Sequence, residues 1–320
     1  LSYQDLCVAL GELAKSSVSY AVTLSVSTMV QSIINEYGSQ EQKQRFLPEL
    51  TSGQEIGSFC LSESSAGSDA ASLKTTAKKT EGGYLLNGAK MWITSGGLAK
   101  TYIVMARTGE EGAKGISAFL VEDGREGFSY GKKEKKMGWK ISPTRELIFE
   151  NCFVPEANLL GQEGQGFKIA MSALDRGRIT IGSLAVGVCQ RALDESVAYA
   201  LTRQQFDQAI FDFQGIQFIL ADMATETESA KLLVEQAARL FDEGKKDQKL
   251  ASMAKLKSTD AAMKVTTDAV QVLGGVGYTA EYPVERLMRD AKVLQIVEGT
   301  NQIQRVVLAR GLKKEYEKHR

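Results

Sequence analysis

A regular stripe of small and apolar residues runs through the second half of this 320-residue chain. Its members step 4, 3, 4, 3, 4, 3 and 4 positions apart: Ile216, Leu220, Met223, Thr227, Ala230, Val234, Ala237 and Phe241. This spacing is the a/d pattern of a long helix packed in a bundle. We expect that helix to end at Gly244 and the next one to end near Gly274 and Gly275. Such a stripe is far more typical of core or subunit packing than of a cofactor site.

The pattern changes twice along the chain, which predicts three domains. Residues 1–57 have helical periodicity, broken by a polar run at 38–41, and form an N-terminal helical domain. Residues 58–160 contain short apolar runs between glycine-rich turns, and Asn87-Gly88 is typical of a two-residue hairpin turn. Residues 161–320 return to long helices. The expected fold class is α+β, with an antiparallel barrel or sandwich between two helical domains.

Composition excludes several classes of protein. Hydrophobic residues make up 43% of the chain and charged residues 24%, which argues against long disorder. The 39 basic residues balance 39 acidic ones, and this argues against a dedicated nucleic-acid binder. No stretch approaches the roughly 20 apolar residues of a membrane span, so we expect none. The chain opens on Leu1 without a signal-peptide pattern, which favours a processed or truncated chain.

Two scarce residue types restrict the chemistry further. The only histidine is His319, which makes a Ser-His-Asp machine or a His-ligated metal site improbable, and we expect no metal. A catalytic base in this chain is therefore a carboxylate, a lysine or a tyrosine. The cysteines lie far apart without a CxxC pair, and this predicts reduced, mostly buried thiols: Cys7, Cys60, Cys152 and Cys189.

Neither a Rossmann fingerprint nor a P-loop is present, and the glycine-rich run 161–166 is interpreted as a connector. Small hydroxyl residues and glycine at 59–69 let backbone N–H groups approach a ligand closely. Trp92 beside Thr94 offers a stacking face and a hydrogen bond, although a half-buried structural Trp is the simpler interpretation. Segments 268–277 and 297–305 also stand out. Taken one at a time, each is more typical of structure than of a site.

Taken together and in this order, the segments resemble the acyl-CoA dehydrogenases over essentially the whole chain. The loop Ser62–Asp69 and the run Trp92-Ile93-Thr94 match that family. Further matching motifs lie at 142–147, 203–206, 271–275, 282–285, 289–291 and 298–303. Eight motifs in one order are not a reasonable chance match. The resemblance implies an FAD-dependent enzyme with an N-terminal helical domain, partial here, a middle antiparallel β domain and a C-terminal four-helix bundle.

The resemblance also implies a reaction, the α,β-dehydrogenation of an acyl-CoA thioester. A base removes the α proton while the β hydrogen leaves as hydride to flavin N5. The base corresponds to Glu298, in the Glu298-Gly299-Thr300 motif of the short-, medium- and short-branched-chain members. Other members carry the base at the position of Gly177, on a helix interpreted as beginning at Leu174. An apolar flavin pocket would raise the pKa of Glu298, and its backbone N–H, with an FAD ribityl hydroxyl, would hold the thioester oxygen.

Site residues are carried over from the family position by position. Contacts around the flavin ring correspond to Phe59, Leu61, Ser62, Gly67, Ser68, Trp92, Ile93, Thr94, Thr300 and Gln302. Contacts to the adenine half, donated by a neighbouring subunit, correspond to Arg203, Phe206, Gln214, Gln271, Val272, Leu273, Gly274 and Gly275. Substrate contacts correspond to Ser68, Asp175, Arg178 and Gly299. A surface ion pair is the alternative interpretation of Asp175 and Arg178.

The family's setting supplies the remaining expectations. Electrons pass to electron-transfer flavoprotein, the assembly is a homotetramer built as a dimer of dimers, and the pathway is fatty acid β-oxidation in lipid metabolism. The location is a bacterial cytoplasm or a mitochondrial matrix. Two alternatives stay open: an acyl-CoA oxidase of the same fold, and a truncated, poorly active member with an assembly or scaffold role. A nicotinamide dehydrogenase is disfavoured by the missing Rossmann signal.

Three departures from the family pattern bear on efficiency. The family normally has a longer helical region before the position of Leu1. Ser64-Ser65 stands where Pro-Gly is usual, which removes proline's fixed φ from the loop. Asp207 stands where glycine is usual, and it is strained if that position has a positive φ. The small residues at 25–29 together with Val297 are compatible with a roomy or branched-acyl pocket.

Overall fold

A computed structural model describes residues 2–245 and 247–318, and His319 lies outside them. Helices come first, strands follow, and helices return, which is the order that the sequence predicts. The helices are α1 Tyr3–Tyr37, α2 Gln40–Ser52, α3 Gly166–Thr202, α4 Gln214–Asp242, α5 Gln248–Leu273, α6 Val284–Leu294 and α7 Asn301–Lys318. The strands are β1 Gly57–Cys60, β2 Thr76–Thr80, β3 Gly83–Thr94, β4 Thr101–Arg107, β5 Ile116–Glu122, β6 Phe128–Lys133, β7 Thr144–Pro155, β8 Leu159–Leu160, β9 Gln204–Gln205 and β10 Gln208–Ala209.

The chain divides into two compact units. The helical unit contains the described residues of Leu1–Val22, Met137–Trp139 and Asp175–Arg320. The sheet unit contains Thr23–Lys136 and Lys140–Leu174.

The sheet unit is built on eight strands in the order β6-β7-β3-β2-β4-β5-β8, with β1 paired to β4. Most pairs are antiparallel, but β1 and β2 both pair with β4 in parallel. The predicted middle β domain is confirmed, but two of its strand pairs are parallel, so the sheet is mixed rather than antiparallel throughout. Strand β4 is buried on both faces because its side chains alternate between two cores. Ile103 and Met105 join the cluster with the helices, while Tyr102 and Val104 join an aromatic cluster on the other face.

The predicted hairpin turn at Asn87-Gly88 is also wrong. Both residues lie inside β3, where the pairing with β7 shifts register between Leu86 and Gly88. The chain turns instead at Glu81-Gly82, where Gly82 has a φ of 73°. A Cβ at Gly88 would approach Thr75 to 2.8 Å, so the glycine serves a close backbone approach rather than a turn.

The helical unit confirms the stripe. Six of its members are buried on α4, from Leu220 to Ala237. Val234 and Ala237 join a core with residues of α1, α3 and α5, including Cys7, Ile179 and Ala254. Helix α4 ends at Asp242, just before Gly244, and α5 ends at Leu273 with Gly274 as its cap. The four long helices of this half, α3, α4, α5 and α7, are accompanied by the shorter α6.

Helix α1 is long and apolar enough to cross a membrane by length and composition, and 56% of its most apolar window is buried inside the protein. The sequence expectation that no segment reaches this threshold is therefore too strong. Core helices of soluble proteins pass the same test. The boundary between α1 and α2 follows the predicted polar run, because Ser39 and Gln42 form a capping box. All four cysteines are free and buried, as expected.

Candidate active site

The turn that carries Glu298 lies in the helical unit, between α6 and α7. Glu298 has a φ of 55° and Gly299 a φ of 88°, so two consecutive residues adopt the left-handed region. Glycine tolerates this conformation, whereas a glutamate there costs free energy and persists only where its surroundings enforce it. The backbone of Glu298 is therefore held in place by its neighbours.

Buried side chains enforce that turn. The Lys255 Nζ donates to the Gly299 carbonyl at 3.0 Å and to Asn301 Oδ1 at 2.7 Å. The Gln304 Nε2 donates to the same Gly299 carbonyl at 2.8 Å and to the Glu298 carbonyl at 3.3 Å. Asn301 is fixed in turn by Thr259, whose Oγ1 lies 2.9 Å from its Nδ2. The turn thus rests on a connected polar network.

Burial of the Glu298 carboxyl group disfavours its ionised form. Its Oε2 is buried and has no hydrogen-bond partner among the described residues. Burial raises the pKa of Glu298 to about 7, although the positive charges of Arg178 and Lys255 oppose the rise. A carboxylate that gains a proton near neutral pH and has a free oxygen is suited to general-base chemistry.

Arg178 and Asp175 lie on α3 in the same unit. The Arg178 Nη1 donates to Asp175 Oδ1 at 2.6 Å, and the Gln248 Nε2 donates to Asp175 Oδ2 at 2.6 Å. Arg178 is only 5% exposed, so the alternative of a surface ion pair is wrong. Helix α3 begins at Gly166 rather than at Leu174.

The loop after β1 lies in the sheet unit. Backbone hydrogen bonds between Glu63 and Ala66 close a tight turn over Ser64-Ser65, with N···O distances of 3.0 and 3.1 Å. Phe59 and Ser62 are half-buried, Leu61 is buried, and Gly67 and Ser68 are exposed. The Ser62 carbonyl accepts from the Met91 N–H at 2.9 Å, which ties this loop to β3.

A buried ion pair holds the same loop. Lys90 on β3 is fully buried, and its Nζ lies 2.7 Å from Glu63 Oε1 and 3.1 Å from the Leu61 carbonyl. Glu63 also accepts from the backbone N–H groups of Lys74 and Thr75 at 2.6 and 3.0 Å. Burial raises the pKa of Glu63, but the Lys90 charge and these hydrogen bonds outweigh it and lower the pKa overall. The loop is therefore fixed by charge rather than by a proline.

Trp92 projects from β3 with an unusual backbone. Its φ is 57°, at a register shift between Lys90 and Ile93, and its side chain is 55% exposed. The interpretation of a half-buried structural Trp is therefore wrong. The Ile93 side chain is buried, so only its backbone is available to a ligand. Thr94 is half-buried, and its carbonyl accepts from Ser58 Oγ at 2.5 Å.

The β9–β10 hairpin of the helical unit presents an aromatic side chain to solvent. Phe206 is 88% exposed and has a φ of 51°, and its ring packs at 6.0 Å from that of Phe213. Asp207 has a φ of 62°, so the condition for strain at this position is met. Arg203 and Gln214, before and after the hairpin, are exposed.

The end of α5 offers open backbone. Gln271, Gly274 and Gly275 are exposed, and a Cβ at either glycine would meet no protein atom within 4 Å. The side chains of Val272 and Leu273 are buried, so these residues offer a ligand only their backbone. Beyond Glu298, Thr300 is half-buried and Gln302 is exposed at the start of α7.

Several of the predicted site residues have strained backbones. The non-glycine residues with positive φ in the described chain are Trp92, Ser95, Trp139, Asn151, Phe206, Asp207 and Glu298. Three of these are predicted site residues, and Asp207 follows one of them. Such outliers cluster at ligand clamps and active sites. The strain therefore supports the same positions that the motifs indicate.

The residues present fit FAD. Trp92 and Phe206 expose aromatic faces that suit a planar ring. Open space at Gly67, Gly274 and Gly275 lets backbone N–H groups approach a diphosphate or ring edge. Within each unit these features lie on strand ends, turns and helix ends rather than on buried faces.

Several residues that hold the site in place are not identified by the sequence motifs. Lys90 and Lys255 are fully buried, and so is Gln304, yet lysine and glutamine are residue types normally found at the surface. Glu63 lies inside the matching 62–69 loop, but the resemblance implies no role for it. A helical pattern that places Lys255 between the apolar Ala251 and Ala262 is the one available sequence signal of its burial.

Family models match the chain in three consecutive parts. Residues 1–54 match the model "Acyl-CoA dehydrogenase, N-terminal domain", and residues 58–152 match the middle domain. Residues 164–313 match the C-terminal domain. An acyl-CoA dehydrogenase of Bacillus subtilis is 52% identical over 95% of this chain and 81% of its own length.

Solved structures are similar throughout. A chain in a structure named for the electron transferring flavoprotein of Acidaminococcus fermentans has a TM-score of 0.96 and 48% identity, over 98% of this chain and 83% of that one. Butyryl-CoA dehydrogenase from Megasphaera elsdenii has a TM-score of 0.94 and 47% identity, over 96% and 81%. The FAD complex of PigA has a TM-score of 0.94 and 31% identity, over 98% and 83%.

Proposed function

Because this chain belongs to the acyl-CoA dehydrogenase family, and is thus an FAD-dependent oxidoreductase acting on acyl-CoA, we propose that it converts an acyl-CoA thioester to the trans-2-enoyl-CoA with Glu298 as the base. The observation that carries the proposal is the buried Glu298 Oε2, which has no partner among the described residues and belongs to a carboxyl group with a pKa of about 7. Such a group is half ionised at neutral pH and can accept a proton.

The reaction removes one proton and one hydride from the substrate. Glu298 takes the α proton on its carboxylate, and the β hydrogen leaves with its electron pair. FAD, when bound, supplies the acceptor for that hydride. The backbone N–H of Glu298 donates to no carbonyl among the described residues, so it is free to donate to the thioester oxygen as negative charge develops there.

Two groups of residues are proposed to hold the cofactor. In the sheet unit these are the ordered loop and strand, with Phe59, Leu61, Ser62, Gly67, Ser68, Trp92, Ile93 and Thr94. In the helical unit they are Arg203, Phe206, Gln214, Gln271, Val272, Leu273, Gly274, Gly275, Thr300 and Gln302. Exposed aromatic faces and open glycine backbone in both groups support this assignment.

Arg178 and Asp175 are proposed to orient the substrate, together with Ser68 and Gly299. The buried Arg178 Nε has no hydrogen-bond partner among the described residues, so it retains a donor for a polar group. The Arg178 Nη1 donates to Asp175, which fixes the guanidinium group. This arrangement orients the guanidinium group and leaves its Nε donor available.

The neighbours support further proposals. The similarity to butyryl-CoA dehydrogenase favours a short acyl chain, and the similarity to a chain in an electron transferring flavoprotein structure favours such a flavoprotein as electron acceptor. A homotetramer, a role in fatty acid β-oxidation and a bacterial or mitochondrial-matrix location complete the proposal.

The test is reduction of the FAD-loaded protein by butyryl-CoA and palmitoyl-CoA without oxygen, followed by visible absorption. The wild type is expected to bleach, and Glu298→Gln is expected to keep its flavin but to bleach at least about a thousandfold more slowly. Glu281→Gln, an exposed glutamate in a loop, is the matched control and is expected to behave like the wild type.

Two outcomes would change the proposal. Bleaching of Glu298→Gln within tenfold of the wild-type rate would remove Glu298 as the base. Rapid reoxidation of the bleached wild type by air would favour the oxidase over the dehydrogenase.

A further inference from the structure

Lys255 is a buried cation without a directly paired anion. It lies in the middle of α5 with no exposed surface, and its two hydrogen-bond acceptors are the neutral oxygens of Gly299 and Asn301. A buried ammonium is costly unless a nearby negative charge compensates it. The carboxylate groups that face it are those of Glu298 and Asp260, neither in ion-pair contact with it among the described residues.

Lys255 contacts two residues that follow Glu298 in the chain. Its ammonium contacts the carbonyl of Gly299, the residue after Glu298, and the side chain of Asn301, the first residue of α7. Asp260, further along α5, accepts from Asn301 Nδ2 at 2.7 Å. One helix therefore holds both the turn and the start of α7.

The charged groups around this pair are few. Arg178 on α3, Lys255 on α5 and Tyr3 on α1 face Glu298. Glu298, Asp260 and Arg178 face Lys255. Asp260 is itself paired with Arg305 at 3.1 Å and Arg178 with Asp175 at 2.6 Å, so Lys255 is the cation near Glu298 that has no ion-pair partner among the described residues.

We propose that Lys255 is a positioning residue for Glu298. The positive charge of Lys255 favours the ionised Glu298 carboxylate, and the hydrogen bond from Lys255 to Gly299 fixes the strained turn. This inference rests on the proposed function, in which Glu298 is the base. Burial lowers the pKa of Lys255 to about 7, so its charge varies over the pH range in which Glu298 itself titrates. The two groups then influence each other's protonation near neutral pH.

Two variants separate charge from hydrogen bonding. Lys255→Met removes both, whereas Lys255→Gln removes the charge and keeps a donor. Lys255→Met is expected to fold, because Gln304 still donates to the Gly299 carbonyl and Thr259 to Asn301 Oδ1. Lys257→Met is the matched control on the same helix. The Lys257 Nζ pairs with Glu226 and has no hydrogen bond to Glu298, Gly299 or Asn301 among the described residues, and Lys264 still pairs with Glu226 when Lys257 is lost.

The readout is the pH dependence of kcat in the FAD-loaded protein, together with an infrared titration of the Glu298 carboxyl group. Loss of the Lys255 charge removes an influence that lowers the pKa of Glu298, so that pKa rises and the acidic limb of the profile moves to higher pH. Both Lys255 variants are expected to shift by about one pH unit. Lys255→Met is expected also to lose about tenfold in maximal kcat, with a smaller loss in Lys255→Gln, while Lys257→Met leaves profile and kcat unchanged.

A reciprocal measurement needs no Lys255 variant. NMR of lysine labelled at Cε follows the Lys255 ammonium in the wild type and in Glu298→Gln. Removal of the carboxylate is expected to lower the pKa of Lys255, because linkage between two sites is mutual. This comparison decides the proposal even if both Lys255 variants fail to fold.

An unchanged kcat profile in the Lys255 variants, or an unchanged Lys255 titration in Glu298→Gln, would overturn the proposal. Failure of the proposed function is distinguishable, because it would appear as full activity in Glu298→Gln whatever Lys255 does.

Discussion

Among the described residues, each unit of the molecule buries one lysine near one glutamate, and the two pairs are built differently. In the sheet unit, Lys90 Nζ contacts Glu63 Oε1 at 2.7 Å, and two backbone N–H groups complete the carboxylate's hydrogen bonds. In the helical unit, Lys255 bonds to the carbonyl behind Glu298, and the Glu298 Oε2 has no partner among the described residues.

The difference separates a structural pair from a reactive one. Contact with Lys90 outweighs burial and lowers the pKa of Glu63, which keeps that carboxylate ionised and fixed. Without such contact, burial dominates and raises the pKa of Glu298 to about 7. The same residue types therefore give a clamp for a loop in one unit and a proton acceptor in the other. Direct contact with the lysine, together with the backbone hydrogen bonds to the carboxylate, decides which.

The largest expected effect comes from removing Lys90 from its ion pair with Glu63. Lys90→Met leaves the Glu63 charge buried without its cation and is expected to destabilise the protein by about 3–5 kcal/mol. The double variant Glu63→Leu with Lys90→Met removes the uncompensated charge and is expected to cost less than the single one. Thermal unfolding of the FAD-loaded proteins measures both; a loss below about 1 kcal/mol in Lys90→Met would show that the pair is not a clamp.

For Lys255 and Glu298, which are not in ion-pair contact among the described residues, removing the Glu298 charge is expected to stabilise the protein rather than destabilise it. The folded-state pKa of Glu298 is raised, so its stabilising contribution is complete below the unfolded-state value near 4.5 and is lost as pH rises through about 7. Glu298→Gln removes that pH dependence and is expected to be more stable than the wild type by about 1–3 kcal/mol above pH 7. The unfolding midpoints of the wild type and of Glu298→Gln are compared in acidic and in alkaline buffer. A stability difference between the two proteins that is the same in both buffers would contradict the prediction.

A smaller effect distinguishes the two glycines next to these pairs. Gly299 has a φ of 88°, and a Cβ there would lie 2.8 Å from Gln304 Nε2, whereas a Cβ at Gly67 meets nothing within 4 Å. Gly299→Ala is expected to cost about 1–2 kcal/mol, and Gly67→Ala close to nothing in the FAD-free protein. Chemical denaturation of both variants makes the comparison, and equal costs would mean that the Glu298 turn is not strained.

Much of the fold follows from patterns that act locally. The 4-and-3 stripe predicts α4 because six of its eight members are buried along that helix. The polar run at 38–41 predicts the break between α1 and α2, where Ser39 forms the cap. Asn87-Gly88 misleads because glycine also serves close backbone approach, here toward Thr75. The parallel pairing of β1 and β2 with β4 is not predictable from local pattern, since it depends on contacts between distant segments.

The site divides in the same way. Glu298 and the residues around it are identified through motifs, because the chemistry requires those residue types. Lys255, Lys90 and Gln304 are not, because each is polar and its burial depends on packing that no single segment encodes. The side chains of Ile93, Val272 and Leu273 are buried within motif segments, which leaves only their backbone for a ligand.

The most direct test of this account is an infrared titration of the carboxyl groups in the wild type, Glu298→Gln and Glu63→Gln. We predict a protonated carboxyl signal that titrates near pH 7, disappears in Glu298→Gln and persists in Glu63→Gln. A Glu298 that is already ionised in mildly acidic buffer, like an ordinary surface glutamate, would contradict the account.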